Sequence, residues 1–233
     1  MMARKKSPFT MNKMRHLITN LNPKSPISEQ YRTIRTNIQF SSVDEELRSI
    51  LFTSSGPGEG KSMTTANIAV TYAQQGKNVL LIDADLRKPT VHYTFRLDNL
   101  KGLSNVLVGD VLLEEAIHTT SIDHLDVISS GPIPPNPSEL LGSRKMRAIL
   151  ERAKQQYDLV IFDTPPVLAV TDAQIMADFV DGAMLVVRSK VTELDAATRA
   201  VEALKPAKAR LLGTVLNDRE KKGSNYYYYY GTN

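Results

Sequence analysis

The 233-residue sequence contains no cysteine, so it can form neither a disulfide framework nor a thiolate metal site. It also lacks any run of the ~18–20 apolar residues that a membrane-spanning helix needs, and its N-terminus lacks the apolar core of a signal peptide. Hydrophobic residues make up 42% of the chain and charged residues 23%, which is typical of a globular protein and not of a fibrous or disordered one. We therefore expect a cytoplasmic protein that neither crosses a membrane nor is secreted by that route.

Acidic residues are missing from residues 1–24, although the whole chain carries a net charge of only +4. Prolines interrupt this segment and no amphipathic pattern runs through it, which predicts a basic, flexible arm over residues 1–27. The arm could meet an anionic membrane surface or nucleic acid, or it could be a solvated tail. No aromatic residues alternate with its Lys and Arg as stacking on single strands requires, so we expect no nucleic-acid partner. Its basic residues are Arg4, Lys5, Lys6, Lys13, Arg15 and Lys24.

From Ser28 onward, helical stretches alternate with short apolar runs rich in β-branched residues. Near-continuous apolar strands separated by helices predict a mostly parallel sheet covered by helices on both faces. Ser28 is the predicted N-cap of the first helix, and the prolines of residues 131–138 predict a stiff loop. We predict a single domain over residues 28–222, followed by a tail over 223–233. The strands are predicted at 49–54, 78–82, 125–129, 159–162, 183–187 and 211–216, with a helix at 62–75.

The segment Ser54–Ser62 reads SSGPGEGKS between a predicted strand and a predicted helix, the context that a phosphate-binding P-loop requires. Its glycines let backbone N–H groups turn toward phosphates, and the helix N-terminus adds a positive dipole. Lys61 can reach the β- and γ-phosphates of ATP, and Ser62 can ligate Mg²⁺. Ser55 replaces the first glycine of the usual pattern, and a Gly-rich surface turn is the alternative interpretation. The predicted nucleotide-binding residues are Gly56, Pro57, Gly58, Glu59, Gly60, Lys61, Ser62 and Met63.

Three aspartates follow predicted strands. Asp163 ends the run Leu159-Val-Ile-Phe, so its carboxylate should emerge at the carboxyl edge of the sheet, beside the P-loop. Asp83 and Asp85 follow another apolar run, where residues two apart point the same way. We predict Mg²⁺ ligation by Ser62, Asp83 and Asp163. Within the pair Asp83 and Asp85, one carboxylate would bind the metal while the other removes the proton from an attacking hydroxyl. The alternatives are a turn-forming Asp163 and a charged loop in which Arg87 makes local ion pairs.

Five consecutive tyrosines occupy the C-terminal tail: Tyr226, Tyr227, Tyr228, Tyr229 and Tyr230. Such a run in a polar tail cannot all be buried in a core, and an exposed phenol can accept a phosphoryl group. Docking on another protein by aromatic contact is the alternative. Beside a nucleotide site, phosphorylation is the better hypothesis.

These motifs resemble those of the bacterial tyrosine kinases (BY-kinases) of capsule and exopolysaccharide assembly, in their separate cytoplasmic-subunit form. The resemblance covers Ser28 to the C-terminus and rests on PGEGKS at 57–62, LLIDADLRKP at 80–89, VIFDTPP at 160–166 and the tyrosine cluster. It implies a P-loop NTPase fold and a protein-tyrosine kinase that uses ATP and Mg²⁺. Lys61, Asp83, Asp85 and Asp163 would be its catalytic residues, and Asn217 is a candidate for contact with adenine.

The resemblance also implies partners. Glu29, Arg32 and Arg35 match the family's Glu-x-x-Arg-x-x-Arg motif, which implies a homo-oligomeric ring in which one subunit's tail is phosphorylated by its neighbour. A membrane-bound activator of polysaccharide co-polymerase type would recruit the kinase to the inner face of the membrane. Other protein substrates and a cognate phosphotyrosine phosphatase are further expected partners. A solvated helix face is the ordinary explanation of the charged motif.

Two competing hypotheses use the same fold. Partition and division ATPases of the deviant-Walker type are switches without kinase activity, and they carry a lysine early in the P-loop where this chain has Gly56. Those at the division site end in an amphipathic membrane helix, which a tyrosine run does not form. A catalytically silent scaffold is the other hypothesis, and the presence of Lys61, Ser62 and the three aspartates argues against it. The four histidines have no metal-ligand spacing.

Overall fold

The computed structural model of the protein describes residues 17–41 and 46–220. Its sheet has seven strands in the order β3-β4-β2-β5-β1-β6-β7, all parallel except β3, which pairs antiparallel with β4. The strands are β1 (Ser49–Ser54), β2 (Val79–Asp83), β3 (Ile117–Thr119), β4 (Leu125–Ile128), β5 (Leu159–Asp163), β6 (Gly182–Arg188) and β7 (Arg210–Asn217).

Helices connect these strands and cover the sheet on both faces. They are α1 (Ile18–Leu21), α2 (Pro26–Phe40), α3 (Lys61–Ala73), α4 (Val91–Phe95), α5 (Leu103–Val108), α6 (Pro137–Leu141), α7 (Arg144–Gln156), α8 (Asp172–Ala177) and α9 (Leu194–Leu204), with a 3₁₀ turn at Glu114–Ala116. The predicted mostly parallel α/β fold of a single domain is confirmed.

Successive strand residues point to opposite faces, so each strand contributes to two apolar clusters. Leu51 and Phe162 belong to the cluster under α5–α9, whereas their neighbours Phe52 and Ile161 pack under α1–α4. All four side chains are fully buried. Burial on both faces explains why the strands read as continuous apolar runs and not as alternating ones.

The start of the domain differs from the prediction. Helix α2 begins at Pro26, and its N-cap is Ser25, whose side chain accepts a hydrogen bond from the Ser28 backbone N–H at 3.1 Å. The predicted cap at Ser28 is therefore wrong. Proline suits the first helical position because its missing N–H has no helical partner there, so the Ser25-Pro26 pair was the better signal.

Part of the predicted flexible arm is folded. Thr19 in α1 is fully buried, and its backbone N–H and hydroxyl donate to Asn67 Oδ1 at 3.1 and 2.9 Å. This contact ties α1 to α3 across 48 positions in the sequence, a distance over which no local pattern gives a signal. Residues 1–16 of the predicted arm and the tail from 221 onward lie outside the described residues.

Two further differences concern irregular segments. The predicted stiff loop ends early, because Pro137 and Ser138 form the first turn of α6, where proline is again tolerated at the helix start. The three-residue edge strand β3 was not predicted, since its short sequence has no clear alternation. No helix in the described ranges combines the length and the apolar character needed to cross a membrane.

Candidate active site

The P-loop joins β1 to α3 at the carboxyl edge of the sheet. Gly58 and Gly60 have φ angles of 79° and 87°, a left-handed conformation that glycine adopts without the steric cost other residues incur. At Gly60 a side chain is also excluded by space, because an added Cβ would lie 1.9 Å from Asn217 Nδ2. Lys61 begins α3, so the free N–H groups of a thirteen-residue helix lie beside this loop, an arrangement suited to anions.

Lys61 lies at the centre of the acidic residues. Its Nζ is 2.7 Å from Asp163 Oδ1 and 3.5 Å from Asp85 Oδ2. Burial by itself lowers the pKa of Lys61, but the charges of Asp163 and Asp85 outweigh it, so the pKa lies above its ordinary value. The side chain is therefore a permanent cation where the P-loop meets the acidic strand ends.

Asp163 is the last residue of β5 and is fully buried. Strand β5 lies between β1 and β2, with Asp163 in register with Phe52 on one side and Asp83 on the other. Oδ1 faces Lys61, whereas no donor among the described residues reaches Oδ2. A buried carboxylate oxygen without a protein donor is suited to accept from a metal-bound water.

Asp83 and Asp85 lie together but have different surroundings. Asp83 Oδ1 accepts from the Asp85 N–H at 3.2 Å, and Oδ2 accepts from the N–H groups of Thr90 and Val91 at 3.0 and 2.9 Å. Burial, and then the charge of Asp163, raises the pKa of Asp83 to about 7. Burial also raises the pKa of Asp85, against the opposing charge of Lys61. Asp83 therefore organises its own loop, while Asp85 faces Lys61.

The remaining predicted P-loop residues surround this centre. The Ser62 hydroxyl lies 3.4 Å from Lys61 Nζ, which places it beside the same acidic residues. The Gly56 carbonyl accepts from Ser54 Oγ at 2.8 Å, and Pro57 is exposed. The Met63 carbonyl accepts from Asn67, so Met63 belongs to the first turn of α3 and does not join the acidic cluster.

Asn217, the candidate adenine contact, reaches the P-loop from the end of β7. Its Nδ2 donates to the Glu59 carbonyl at 3.0 Å. A cavity of about 1040 Å³ lies next to it, lined among others by Tyr31 and Ile34 of α2 and by Lys190. Glu59 itself is buried, and its carboxylate accepts hydrogen bonds from the protein. Asn217 therefore contacts the P-loop directly.

Sequence reasoning missed a cluster that supports the acidic loop. Arg87 donates to both carboxylate oxygens of the fully buried Asp172, at 2.9 and 3.0 Å, and to Ser138 Oγ at 2.8 Å. Arg87 therefore makes an ion pair, but its partner is 85 positions away and not a local one, as the alternative interpretation of this loop had it. A lone Asp after a threonine gives no signal of this role in the sequence.

The predicted oligomerisation residues lie on α2, away from Lys61. Glu29 and Arg32 pair with each other near the surface, and Arg32 also donates to the Pro23 carbonyl at 2.8 Å. Arg35 donates to the Thr71 carbonyl of α3 at 2.8 Å. Arg35 thus contacts the P-loop helix within its own chain.

The sequence profile of the AAA domain matches residues 47–211, more than half of the chain. With a mostly parallel sheet and a P-loop between β1 and α3, the match places the protein among the P-loop ATPases and implies that it uses ATP.

Two curated relatives define the family. YwqD of Bacillus subtilis (strain 168), a tyrosine-protein kinase, is 54% identical over 218 residues, which cover 94% of this chain and 92% of YwqD. CapB of Staphylococcus aureus, a putative tyrosine-protein kinase, is 44% identical over 231 residues, 99% of each chain. Among solved structures, the kinase domain of the Escherichia coli tyrosine kinase ETK has a TM-score of 0.86 at 36% identity, covering 92% of this chain and 84% of that one. The chain belongs to the bacterial tyrosine-protein kinases, and it is a tyrosine-protein kinase.

The switch-ATPase hypothesis is less well supported. The septum site-determining protein MinD of Pyrococcus horikoshii, solved with Mg-ADP, has a TM-score of 0.62 at 27% identity, covering 73% of this chain and 70% of that one. The kinases match over more of the chain and at higher identity, so the kinase interpretation is preferred.

Proposed function

We propose that the P-loop binds the phosphates of ATP and that Lys61, Asp83, Asp85 and Asp163 carry the transfer of its γ-phosphoryl group to a tyrosine. The observation that supports this most directly is the position of Lys61 Nζ, within 3.5 Å of two buried carboxylates at the mouth of the P-loop. Phosphoryl transfer depends on positioning and on neutralising charge. Lys61 supplies a cation there, and the N–H groups at the start of α3 supply donors.

The site also fits Mg²⁺. The residues that would hold it are Ser62, Asp83 and Asp163, and the Asp163 oxygen that no described residue reaches supports this assignment. In the described ranges no group of three or more His, Cys, Asp and Glu side chains is arranged to hold a metal by itself. That agrees with Mg²⁺, which in nucleotide sites uses one or two carboxylates together with phosphates and water. When bound, the ion would neutralise charge on the phosphates.

Asp85 is the group we assign to the proton of the attacking phenol. The phenolic oxygen bonds to the γ-phosphorus, the bond from that phosphorus to the bridging oxygen of ADP breaks, and the phenolic proton moves to the Asp85 carboxylate. A raised pKa makes Asp85 a better proton acceptor than an ordinary aspartate. Asp83 is less free for this role because three backbone N–H groups already occupy its oxygens.

The acceptor tyrosines we propose are Tyr226–Tyr230 of a neighbouring copy in a ring. Glu29 and Arg32 lie on the outer side of α2, where they can meet another copy, while Arg35 joins α2 to the P-loop helix. The family resemblance further supports a membrane-bound activator that recruits the kinase to the inner membrane face, other protein substrates, a phosphotyrosine phosphatase, and a role in capsular or exopolysaccharide synthesis.

The test mixes two variants and measures intact mass after incubation with Mg-ATP. The Lys61→Met variant keeps the acceptor tyrosines but should not transfer phosphate. The variant with Tyr226–Tyr230 changed to Phe keeps the active site but has no acceptor tyrosines in its tail. We expect phosphate on the Lys61→Met protein only when the second variant is present, and its removal by a phosphotyrosine phosphatase. Phosphate on wild type but never on Lys61→Met in the mixture would overturn transfer between copies. ATP hydrolysis without any retained phosphate, even with the activator's cytoplasmic segment, would overturn the proposed acceptor.

A further inference from the structure

A buried carboxylate lies within the phosphate-binding loop itself. Glu59 is 6% exposed, and a buried charge is costly unless hydrogen bonds satisfy it. A second negative group beside the phosphates of a nucleotide would also repel them. Glu59 therefore needs a structural reason for its position.

Both carboxylate oxygens of Glu59 accept hydrogen bonds from the protein. Oε2 accepts from the Ser55 backbone N–H at 2.8 Å, which closes the loop on itself across four residues. Oε1 accepts from the Thr192 hydroxyl at 2.6 Å. The carboxylate thus joins the start of the P-loop to the segment between β6 and α9.

The Thr192 hydroxyl has a defined direction. Its oxygen accepts from the Arg188 backbone N–H at 2.8 Å, so its single proton is left to donate to Glu59. Thr192 is 133 positions from Glu59 in the sequence and lies in the segment between β6 and α9.

The P-loop backbone at Glu59 and Gly60 is held from β7. Asn217 Nδ2 donates to the Glu59 carbonyl at 3.0 Å, and the Asn217 amide occupies the space where a Gly60 side chain would be. We call Ser55, Glu59, Thr192 and Asn217 the Glu59 brace. It fixes both the side chain and the main chain of the turn that leads into Lys61.

We infer that Glu59 and Thr192 are positioning residues that hold the P-loop in its phosphate-binding shape before nucleotide arrives. Preorganising a loop strengthens binding because less ordering is required when the ligand binds. This inference rests on the proposed binding of ATP phosphates by the P-loop.

The test compares Thr192→Val with Thr192→Ser, measuring the affinity for a fluorescent ADP analogue with Mg²⁺ at equilibrium. Valine removes the hydroxyl at similar volume, and the loss of a hydrogen bond to a charged group predicts binding weaker by about tenfold. Serine keeps the donor and should restore most of the affinity. Thr198→Val is the matched control, because that exposed hydroxyl bonds only within α9. The KM for ATP should rise with Thr192→Val by more than kcat falls.

Two results would overturn the inference. The first is an ADP affinity of folded Thr192→Val within about twofold of wild type, because loss of a hydrogen bond to a charged group predicts a larger effect. The second is ADP binding that Thr192→Val and Thr192→Ser weaken equally. If Thr192→Val does not fold, Thr192→Ala is measured instead, since it also removes the hydroxyl that donates to Glu59, and unchanged ADP affinity in that variant is equally decisive. The readout is binding, so it remains informative if no tyrosine is ever phosphorylated. Failure of every variant and of wild type to bind ADP would instead overturn the proposed function.

Discussion

Two loops at the same edge of the sheet are built in opposite ways. In the P-loop, residues 54–62, glycines and the Glu59 brace shape the backbone so that N–H groups at the start of α3 stay open to an anion. In the acidic loop, residues 83–90, the Asp83 side chain takes up three backbone N–H groups, those of residues 85, 90 and 91, and Arg87 anchors the loop to Asp172. One loop presents donors and the other presents acceptors, which suits a bound anion and a bound cation respectively.

Lys61→Met breaks the contact between the two loops and should have the largest effect. Removing the cation at the transferred phosphate should lower the rate of autophosphorylation by about a hundred- to thousandfold. It also leaves Asp163 and Asp85 buried without their cation, at a cost of about 3–5 kcal/mol in the free energy of unfolding. Phosphate incorporation by intact mass and urea unfolding measure the two effects.

Lys88→Met is the control for this variant, because Lys88 is an exposed lysine of the acidic loop. We expect nearly wild-type behaviour in both assays. Comparable losses of activity and stability in Lys88→Met and Lys61→Met would mean that both effects follow from removing any positive charge in this region, and not from the buried position of Lys61.

Asp83→Asn and Asp85→Asn should both lower activity, because both residues belong to the proposed site, but they should differ in their effect on stability. Asparagine at 83 turns an NH₂ group toward backbone donors, so the free energy of unfolding should fall by about 1–3 kcal/mol. Asparagine at 85 can still accept from the Lys88 N–H, a bond of 3.0 Å in the wild type. The free energy of unfolding of Asp85→Asn should therefore change less than that of Asp83→Asn, while kcat of Asp85→Asn at saturating ATP should fall by about a hundredfold. The opposite ranking in urea unfolding would show that Asp83 is not the organiser of the loop.

Gly60→Ala and Gly58→Ala sharpen the account of the P-loop. Both place a side chain in a left-handed conformation, at a cost of about 1–2 kcal/mol each. Only the change at Gly60 also drives a methyl group into Asn217, whereas nothing lies within 4 Å of the corresponding atom at Gly58. Calorimetry should show the lower melting temperature for Gly60→Ala, and ADP binding should weaken more. Equal effects at the two positions would remove Asn217 from the explanation.

Arg87→Ala should have the smallest effect on phosphoryl transfer of the four comparisons, because Arg87 pairs with Asp172 and not with Lys61 or the P-loop. It deprives the buried Asp172 of a bidentate partner, so we expect a loss of about 1–3 kcal/mol in the free energy of unfolding. Arg199→Ala breaks a pair with Asp195 in which both side chains are well exposed, and such pairs contribute about 0.5 kcal/mol or less. If urea unfolding gave similar values for the two variants, the Arg87 contact would count as an ordinary surface pair.

The sheet itself was largely predictable. Strands β1 and β5 lie within a residue of their predicted bounds, because strands buried on both faces need continuous apolar runs. The predicted P-loop and Asp163 were brought together because parallel strands end at one edge, so local pattern and chain direction were enough. The helix α1 was missed because it is short and depends on a contact with Asn67, far along the chain. The strand β3 was missed because it has only three residues.

The sequence by itself determined the class of protein, since the P-loop spacing, the strand-end aspartates and the tyrosine run are local patterns with a direct chemical meaning. Only the tertiary structure decided that Asp83 binds its own loop while Asp85 faces Lys61, and that Thr192 and Asp172 support the two loops. Those contacts join residues 133 and 85 positions apart. They depend on the order of strands in the sheet, and periodicity along the chain carries no information about that order.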